Sequence, residues 1–413
     1  MSLRVIVVDD SIIFRKAVRD SLADLDGVDV VDVARDGQVA IEKIRRLRPD
    51  VITLDIEMPI MNGLEVLQAI EREKIQTNVI VVSSLTKSGA STTTQALQMG
   101  AFDFILKPNH ENANDNQAEL KQQLSRCIEV LKRRQTNSQA TPSRITEPNK
   151  VRSQPTLENK ADRPRPAIRE SSITSSVPSN ANVADDSGNG RLTGSREIPS
   201  DPDAICIGIS TGGPKALGCL IPALNADVSV PILIVQHMPP LFTESLANHL
   251  NATSKLKVAE AEHGTPIKNG HVYIAPGGKQ MKVDGYPGAW TLSVTDDPPV
   301  RGCRPSVDVL FESASQQFRQ RIIAIVMTGM GDDGMEGSAE IAKRGGHIWV
   351  QDEASSTVYG MPRSVVKSGT SCEQYSLDEL SSRINQIGRS TGSTGAAAFG
   401  TKPSVAGQYN TLS

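Results

Sequence analysis

Residues 204–224 have the sequence AICIGISTGGPKALGCLIPAL, and this stretch sets the architecture of the C-terminal half of the chain. The apolar run AICI is typical of a buried strand, GISTGGP is a glycine-rich turn, and KALGCLIPAL is typical of a helix. A glycine-rich turn between a strand and a helix is found where phosphate is bound and where a nucleophile is exposed. The stretch therefore predicts an α/β unit with a functional turn.

More apolar runs follow this unit. PILIVQH, HVYIAP, IIAIVMTG and GHIWVQD are typical of buried strands, and helix-like stretches separate them. Alternating strands and helices predict an α/β domain with a parallel sheet, which we place at residues 203–389. The tail at 390–413 is of low complexity, and we expect it to be flexible.

The N-terminal part of the chain shows the same alternation. RVIVVDD, VDVVDVA, DVITLDI, NVIVVSS and DFILKP predict five strands of a first α/β domain at residues 1–132. Residues 133–202 contain no Phe, Trp or Tyr and are rich in Ser, Asn, Thr, Arg and Pro. A folded polar domain there is disfavoured, because the stretch cannot bury enough apolar area, so we predict a disordered linker.

Composition restricts the function classes. The net charge of −3 gives no electrostatic support for nucleic-acid binding. No apolar run reaches about 18 residues, and the N-terminus lacks the layout of a signal peptide. The five cysteines are far apart and form no zinc-ligand spacing. These features predict a cytoplasmic protein with reduced thiols and no membrane insertion.

Polar residues end four strands of the first domain. Asp9 and Asp10 follow the first strand, Asp55 ends the third, Ser83 ends the fourth, and Lys107 follows the last. The carboxyl ends of parallel strands meet at one edge of a sheet, so we expect these side chains to lie together. Crowded carboxylates repel one another unless a cation is bound, and oxygen ligands favour Mg²⁺. A metal, a lysine and a hydroxyl around Asp55 indicate phosphoryl transfer with Asp55 as nucleophile.

The alternative for each acid is a structural one. Asp10 or Ser11 can cap the helix that follows the first strand, and a strand-end acid is commonly a cap or a solvated loop residue. The occurrence of acids, a hydroxyl and a lysine together, each at the end of a separate strand, favours a phosphoryl-transfer site over structural roles.

The segments VVDDS, LDIEMPIMNGLEVL, VSSLT and FILKP resemble the receiver domain of two-component response regulators. The resemblance implies a flavodoxin-like fold, phosphorylation of Asp55, and a histidine kinase as the phosphate source. It also implies Mg²⁺ bound by Asp9, Asp10, Asp55 and the backbone of Glu57, and a phosphoryl group sensed by Ser83 and Lys107.

The turn GISTGGP favours a nucleophile over a nucleotide. Ser210 occupies the position of the second glycine of a dinucleotide loop, where a side chain obstructs the pyrophosphate. The next strand ends in Gln236 and His237, so no acid is available there for a ribose. The pattern Gly-x-Ser-x-Gly exposes a serine hydroxyl, and His237 emerges at the same sheet edge as Ser210. We predict that His237 is the base.

The acid is predicted in the glycine-rich segment IVMTGMGDDGMEG, where both Asp332 and Asp333 qualify. Either aspartate can instead cap the helix that follows. Backbone amides of Met330 or Thr211 are candidates for an oxyanion hole. The order Ser, His, Asp differs from the Ser, Asp, His order of ordinary α/β-hydrolases, so that topology is not implied.

The segments IGISTGGPKAL, IVQHMPPLFTESLA, YIAPGG, RPSVDVLFESA, MTGMGDDG and YGMPRSV resemble the catalytic domain of chemotaxis protein-glutamate methylesterases. The resemblance implies a Rossmann-like doubly wound domain, with Ser210 as nucleophile, His237 as base and Asp333 as acid. It implies that ester hydrolysis needs no cofactor. Receiver followed by esterase is that family's domain order, although the linker is longer than expected.

The resemblance implies a phosphorylation-activated hydrolase with methyl-accepting chemoreceptors as substrate. It would release methanol from glutamate γ-methyl esters and deamidate receptor glutamines. The receiver would cover the esterase site until Asp55 is phosphorylated. A binding module without catalysis is disfavoured by the Ser210, His237 and Asp333 set. A transcriptional regulator is disfavoured because no basic helix-turn-helix follows the receiver.

Overall fold

The computed structural model describes residues 2–139 and 202–387. The predicted linker lies mostly outside these residues, and the predicted tail lies wholly outside them. The first domain has five strands, which are β1 (Leu3–Val8), β2 (Val28–Ala34), β3 (Val51–Asp55), β4 (Asn78–Ser83) and β5 (Asp103–Leu106). Its five helices are α1 (Ile12–Ala23), α2 (Gly37–Leu47), α3 (Gly63–Arg72), α4 (Lys87–Gln98) and α5 (Ala113–Gln139).

The first sheet is parallel throughout, in the order β2-β1-β3-β4-β5. Helices cover both faces, which is why every residue of β3 is buried and the strand sequences are nearly continuous apolar runs. This order is that of a flavodoxin-like domain and confirms the predicted fold class. Helix α5 runs to Gln139, seven residues past the predicted end of the domain, and no Pro or Gly interrupts the chain before Pro142.

The second domain combines a large sheet with a hairpin. Its strands are β6 (Ala204–Ile209), β7 (Ile232–Gln236), β8 (Lys257–Glu260), β9 (His271–Ile274), β10 (Gln280–Tyr286), β11 (Ala289–Thr295), β12 (Ile322–Val326), β13 (His347–Gln351) and β14 (Glu373–Tyr375). Its helices are α6 (Gly213–Ala223), α7 (Phe242–Thr253), α8 (Val307–Phe318), α9 (Met335–Lys343), α10 (Met361–Lys367) and α11 (Leu377–Ile387).

The large sheet has seven parallel strands in the order β14-β13-β12-β6-β7-β9-β8. The chain leaves β6 toward β7 on one side and later returns to place β12 on the other. This reversal of strand order beside β6 opens a crevice at the carboxyl ends of the strands, where ligands bind in doubly wound sheets. The predicted Rossmann-like parallel architecture is confirmed.

The antiparallel hairpin β10–β11 is an element that the sequence analysis did not predict. The segment DGYPG at residues 284–288 is a turn signal between two alternating runs, and Gly285 and Gly288 have positive φ values of 109° and 88°. The hairpin is fixed to α8, because Val283 N donates to Ser313 Oγ at 3.1 Å.

The two domains pack against each other through β5, at the edge of the first sheet. Phe104 on β5 stacks on Phe242 of α7, with ring centroids 4.8 Å apart and an interplanar angle of 16°. One buried hydrophobic cluster includes residues of both domains, among them Leu97 of α4 and Leu217 of α6. None of the helices in the described parts of the chain is both long and apolar enough to cross a membrane.

Candidate active site and phosphorylation site

The turn after β6 presents Ser210 at the crevice. Ser210 N donates to Thr328 O at 3.0 Å, and Ser210 O accepts from Gly213 N at 2.7 Å, so the backbone of the turn is held on both sides. Gly212 has a φ of 78°, and a Cβ atom there would lie 2.4 Å from the Cβ of Thr357. Only glycine fits this position, which explains one of the glycines of GISTGGP.

His237 follows β7 and pairs with Asp333. Its Nε2 lies 2.7 Å from Asp333 Oδ2, and the side chains are 16% and 3% exposed. Since Nε2 is engaged by the carboxylate, Nδ1 is the ring nitrogen left for another partner. Ser210 and His237 line the same cavity of about 250 Å³. No hydrogen bond among the described residues joins the Ser210 hydroxyl to the imidazole.

Asp333 is held by the start of α8. Its Oδ1 accepts from Ser306 Oγ at 2.8 Å and Asp308 N at 2.9 Å, and its Oδ2 also accepts from Val307 N at 2.7 Å. Burial acts to raise the pKa of Asp333, but the hydrogen bond and charge of His237 and these backbone donors outweigh burial and lower it. A helix N-terminus also favours a carboxylate, so Asp333 is a fixed anion.

The imidazole of His237 is more basic than usual. Burial acts to lower its pKa, but the hydrogen bond to Asp333 and the neighbouring thiol of Cys303 raise the pKa to about 9. One ligand atom each from His237, Cys303 and Asp333 lies within 4.8 Å of the others. His237 is thus a strong base with a fixed orientation.

The two aspartates of the glycine-rich loop have different partners. Asp333 contacts His237, whereas Asp332 points outward and its Oδ2 lies 2.8 Å from Arg301 Nη1. The N-cap of α9 is Gly334, with no side-chain hydrogen bond, so the helix-cap alternative for the aspartates is wrong. The reason is that Asp308 Oδ1 accepts from Gly334 N at 3.0 Å and from Gly337 N at 2.7 Å, so the start of α9 already has a carboxylate partner.

Thr211 and Met330 line the same cavity as Ser210. The hydroxyl of Thr211 donates to Asp103 Oδ2 of the receiver at 2.7 Å. Asp103 is enclosed by this contact, and burial raises its pKa. Receiver residues also form part of the cavity wall, Phe104 among them. The first domain therefore borders the candidate esterase site directly.

In the receiver, the predicted acidic cluster is brought together. Carboxylate oxygens of Asp9, Asp10 and Asp55 lie within 4.8 Å of one another. Lys107 Nζ lies 2.8 Å from Asp55 Oδ2 and 3.2 Å from Asp9 Oδ2. Burial raises the pKa of Asp9 to about 6, with Lys107 opposing and Asp55 adding to the rise.

This cluster fits a hard cation. Lys107, at 3.2 Å, is the partner of the buried Oδ2 of Asp9 among the described residues, and the cluster's ligand atoms are all oxygens, which favour a hard cation. Glu57 N donates to Asp55 Oδ1 at 3.4 Å, which places the Glu57 backbone beside the cluster. A cation would stabilise the charged form of Asp9, which burial disfavours most and the neighbouring Asp55 disfavours further.

Ser83 lies with Asp55, Glu57 and Lys107 on a small cavity of about 160 Å³. Its Oγ accepts from Thr93 Oγ1 at 2.7 Å. Thr93 was not anticipated from sequence, since a threonine inside a helix has no strand-end signal.

Other contacts at the candidate active site were not predicted from the sequence either. Ser306 and Asp308 belong to RPSVDVLF, and a serine before an apolar helix is an N-cap signal that could have placed this helix end. Asp103 and Cys303 carry no such signal, because their positions depend on domain packing and on a loop.

Two family models match the chain. The response regulator receiver domain matches residues 5–118, and the CheB methylesterase model matches residues 205–384. The protein-glutamate methylesterase/protein-glutamine glutaminase of Desulfotalea psychrophila is 40% identical over 385 residues, which are 93% of this chain and 98% of that protein. Protein-glutamate methylesterase/protein-glutamine glutaminase 1 of Vibrio vulnificus strain YJ016 is 38% identical over 384 residues, which are 93% of this chain and 98% of that protein. The crystal structure of the Thermotoga maritima CheB methylesterase catalytic domain is 35% identical, spans 45% of this chain and 99% of that chain, and has a TM-score of 0.44.

Proposed function

The chain belongs to the family of CheB methylesterases that carry a receiver domain, and we propose that it hydrolyses glutamate γ-methyl esters of chemoreceptors. The observation that carries the proposal is the His237–Asp333 pair, 2.7 Å apart, in which His237 lines the same cavity as Ser210. Nucleophile, base and acid are the three roles that acyl transfer by a serine requires.

In the proposed reaction, Ser210 Oγ attacks the ester carbonyl while Nδ1 of His237 accepts the hydroxyl proton. His237 then donates this proton to the leaving oxygen, and methanol departs. Asp333 stabilises the imidazolium and holds its tautomer. Amides of Thr211 and Met330 are the donors for the oxyanion. Water, deprotonated by His237, then attacks the acyl-enzyme; the bond to Ser210 Oγ breaks, the proton on His237 passes to that oxygen, and a glutamate carboxylate is released.

The same site deamidates receptor glutamine in our proposal. An amide passes through the same kind of tetrahedral intermediate, and His237 protonates the leaving nitrogen so that ammonia departs. Both reactions use only side chains and backbone amides of this chain, with no cofactor assigned to them.

Asp55 is the proposed phospho-acceptor, with a chemotaxis histidine kinase as donor. Asp9, Asp10, Asp55 and the Glu57 carbonyl would hold Mg²⁺, which neutralises phosphoryl oxygens when bound. Lys107, already paired with Asp55, would turn to the phosphoryl group, and Ser83 would donate a hydrogen bond to it.

Phosphorylation activates the enzyme by moving the receiver. The proposal is supported by the Thr211–Asp103 hydrogen bond and the Phe104–Phe242 stack, which hold the receiver against the candidate site. Phosphorylated Asp55 would favour a pre-existing open arrangement. A cytoplasmic location is part of the same proposal, since the proposed chemoreceptor substrate is modified on its cytoplasmic part.

The test is methanol release from methyl-labelled receptor membranes, measured with and without a phosphodonor. We expect Ser210→Ala to lower the rate by about 10⁴-fold or more, since a triad nucleophile is lost. Undiminished methanol release from Ser210→Ala would exclude the assignment. Asp55→Asn should retain basal activity and lose the response to phosphodonor, and an unchanged response would exclude gating through Asp55.

A further inference from the structure

A second groove lies beside the candidate esterase cavity, between α5 of the receiver and α10 of the catalytic domain. It encloses about 540 Å³ and is lined by residues of both helices and by the loop before α10. Met330 borders this groove and also the cavity that contains Ser210. When activation moves the receiver, the α10 wall of this groove stays with the catalytic domain, and a polypeptide segment bound along it would continue toward the nucleophile.

The groove is positively charged. Arg363 and Lys367 lie four residues apart on one face of α10, and both are exposed. Neither forms an ion pair within the described residues of the chain. Arg133 lines the opposite wall on α5, where its contact with Glu129 is long, at 4.0 Å. Glu353 is the acidic residue among the groove's described lining, so cations are in excess.

Helix α10 is held firmly to the candidate esterase loop. Met361 N and Gly360 N donate to Gly329 O at 2.9 and 3.0 Å, and Gly329 N donates to Val358 O at 2.9 Å. Gly329 packs against Ser210, because a Cβ atom built on Gly329 would lie 2.8 Å from the Cβ of Ser210. The charges of α10 thus have a fixed position relative to the nucleophile.

We propose that Arg363 and Lys367 form a docking site for the acidic flank of the protein substrate. This inference rests on the proposed function, because a substrate that presents glutamates and glutamines gains a carboxylate at each turnover. Charge complementarity would steer such a segment to α10 and orient it toward Ser210. The chain's own segments at 140–201 and 388–413 fit poorly, since the first has no acidic excess and the second has no Asp or Glu.

The experiment measures methanol release from methylated receptor with full-length, phosphodonor-activated enzyme at two salt concentrations. The double variant Arg363→Glu/Lys367→Glu should raise KM by about tenfold at low salt and leave kcat nearly unchanged. The difference from the wild type should shrink at high salt, because ions screen exposed charges. Arg363→Gln/Lys367→Gln should give an intermediate KM, which guards against a folding defect in the reversed variant.

The matched control is Lys255→Glu/Lys257→Glu. It makes the same change in net charge at two exposed positions, Lys255 in the bend before β8 and Lys257 on β8, at the opposite edge of the seven-stranded sheet. The control should keep the wild-type KM. An equal KM for wild type and both α10 variants would overturn the docking site, as would an equal rise in the control. A failure of the proposed function can be told apart from a failure of the docking site, because in the first case the wild type would release no methanol.

Discussion

Truncating Phe104 should release the catalytic domain from the receiver without phosphorylation. Phe104 lies on β5 and stacks on Phe242, which is fully buried. Stacked aromatic pairs contribute about 1 kcal/mol beyond burial, and the apolar area lost from a half-buried ring contributes about 1 kcal/mol more. Phe104→Ala should therefore destabilise the closed arrangement by about 2 kcal/mol.

A change of that size raises the open-to-closed ratio by about thirtyfold. Basal methanol release should rise by the same factor, or until it reaches the activated rate. The maximal rate with phosphodonor should be unchanged, because Phe104 has no role in the proposed chemistry. The stimulation by phosphodonor should fall as the basal rate rises.

The assay is methanol release from methylated receptor by the full chain, before and after addition of a phosphodonor. Tyr286→Ala is the control for removing an aromatic ring, since Tyr286 is 70% exposed on the hairpin. Circular dichroism and Asp55 phosphorylation should be normal in Phe104→Ala. A folded, phosphorylatable Phe104→Ala protein with wild-type basal activity would refute the inhibitory role of this interface.

Two further predictions concern the ionisable groups. The pKa of His237 is raised to about 9 and the base must be neutral, so kcat/KM of the activated enzyme should increase with pH up to about pH 9. Asp333→Asn removes a charge that raises the pKa of His237, so the rising part of the pH–rate profile should move to lower pH. The rate at the plateau should fall by about 10³- to 10⁴-fold. A rising part at the same pH as in the wild type would contradict the pairing of His237 with Asp333. Asp9→Asn or a chelator should abolish phosphorylation of Asp55, as followed with a radiolabelled phosphodonor, and should leave basal methanol release unchanged. Phosphorylation that persists without divalent cations would contradict the Mg²⁺ site.

The sequence was sufficient to predict the site residues that lie at the carboxyl ends of parallel strands. Asp9, Asp55 and Lys107 follow separate strands of one parallel sheet, so topology alone brings them together. Ser210 and His237 follow neighbouring strands β6 and β7 for the same reason. The alternation of strands and helices was enough to predict the first sheet and five of the seven strands of the second, whereas the short edge strands β8 and β14 were not predicted.

Features that depend on packing between distant segments were not predictable in this way. The choice between Asp332 and Asp333 needed either a family resemblance or coordinates, because it depends on Arg301, which pairs with Asp332, and on the N–H groups of α8, which hold Asp333. The contact between Asp103 and Thr211 joins residues 108 positions apart in different domains. No local pattern specifies which surface of one domain meets another.

The apolar character of the domain contact also has a thermal consequence. Separating Phe104 from Phe242 and opening the shared hydrophobic cluster would expose nonpolar surface to water, so the transition carries a positive heat-capacity change. Hydrophobic contacts weaken on cooling, whereas the hydrogen bonds that hold Asp333 and His237 do not rely on that effect. Cooling would thus weaken the inhibitory contact between the domains before it disturbs the catalytic geometry. The ratio of the basal rate to the phosphodonor-stimulated rate would be largest at low temperature.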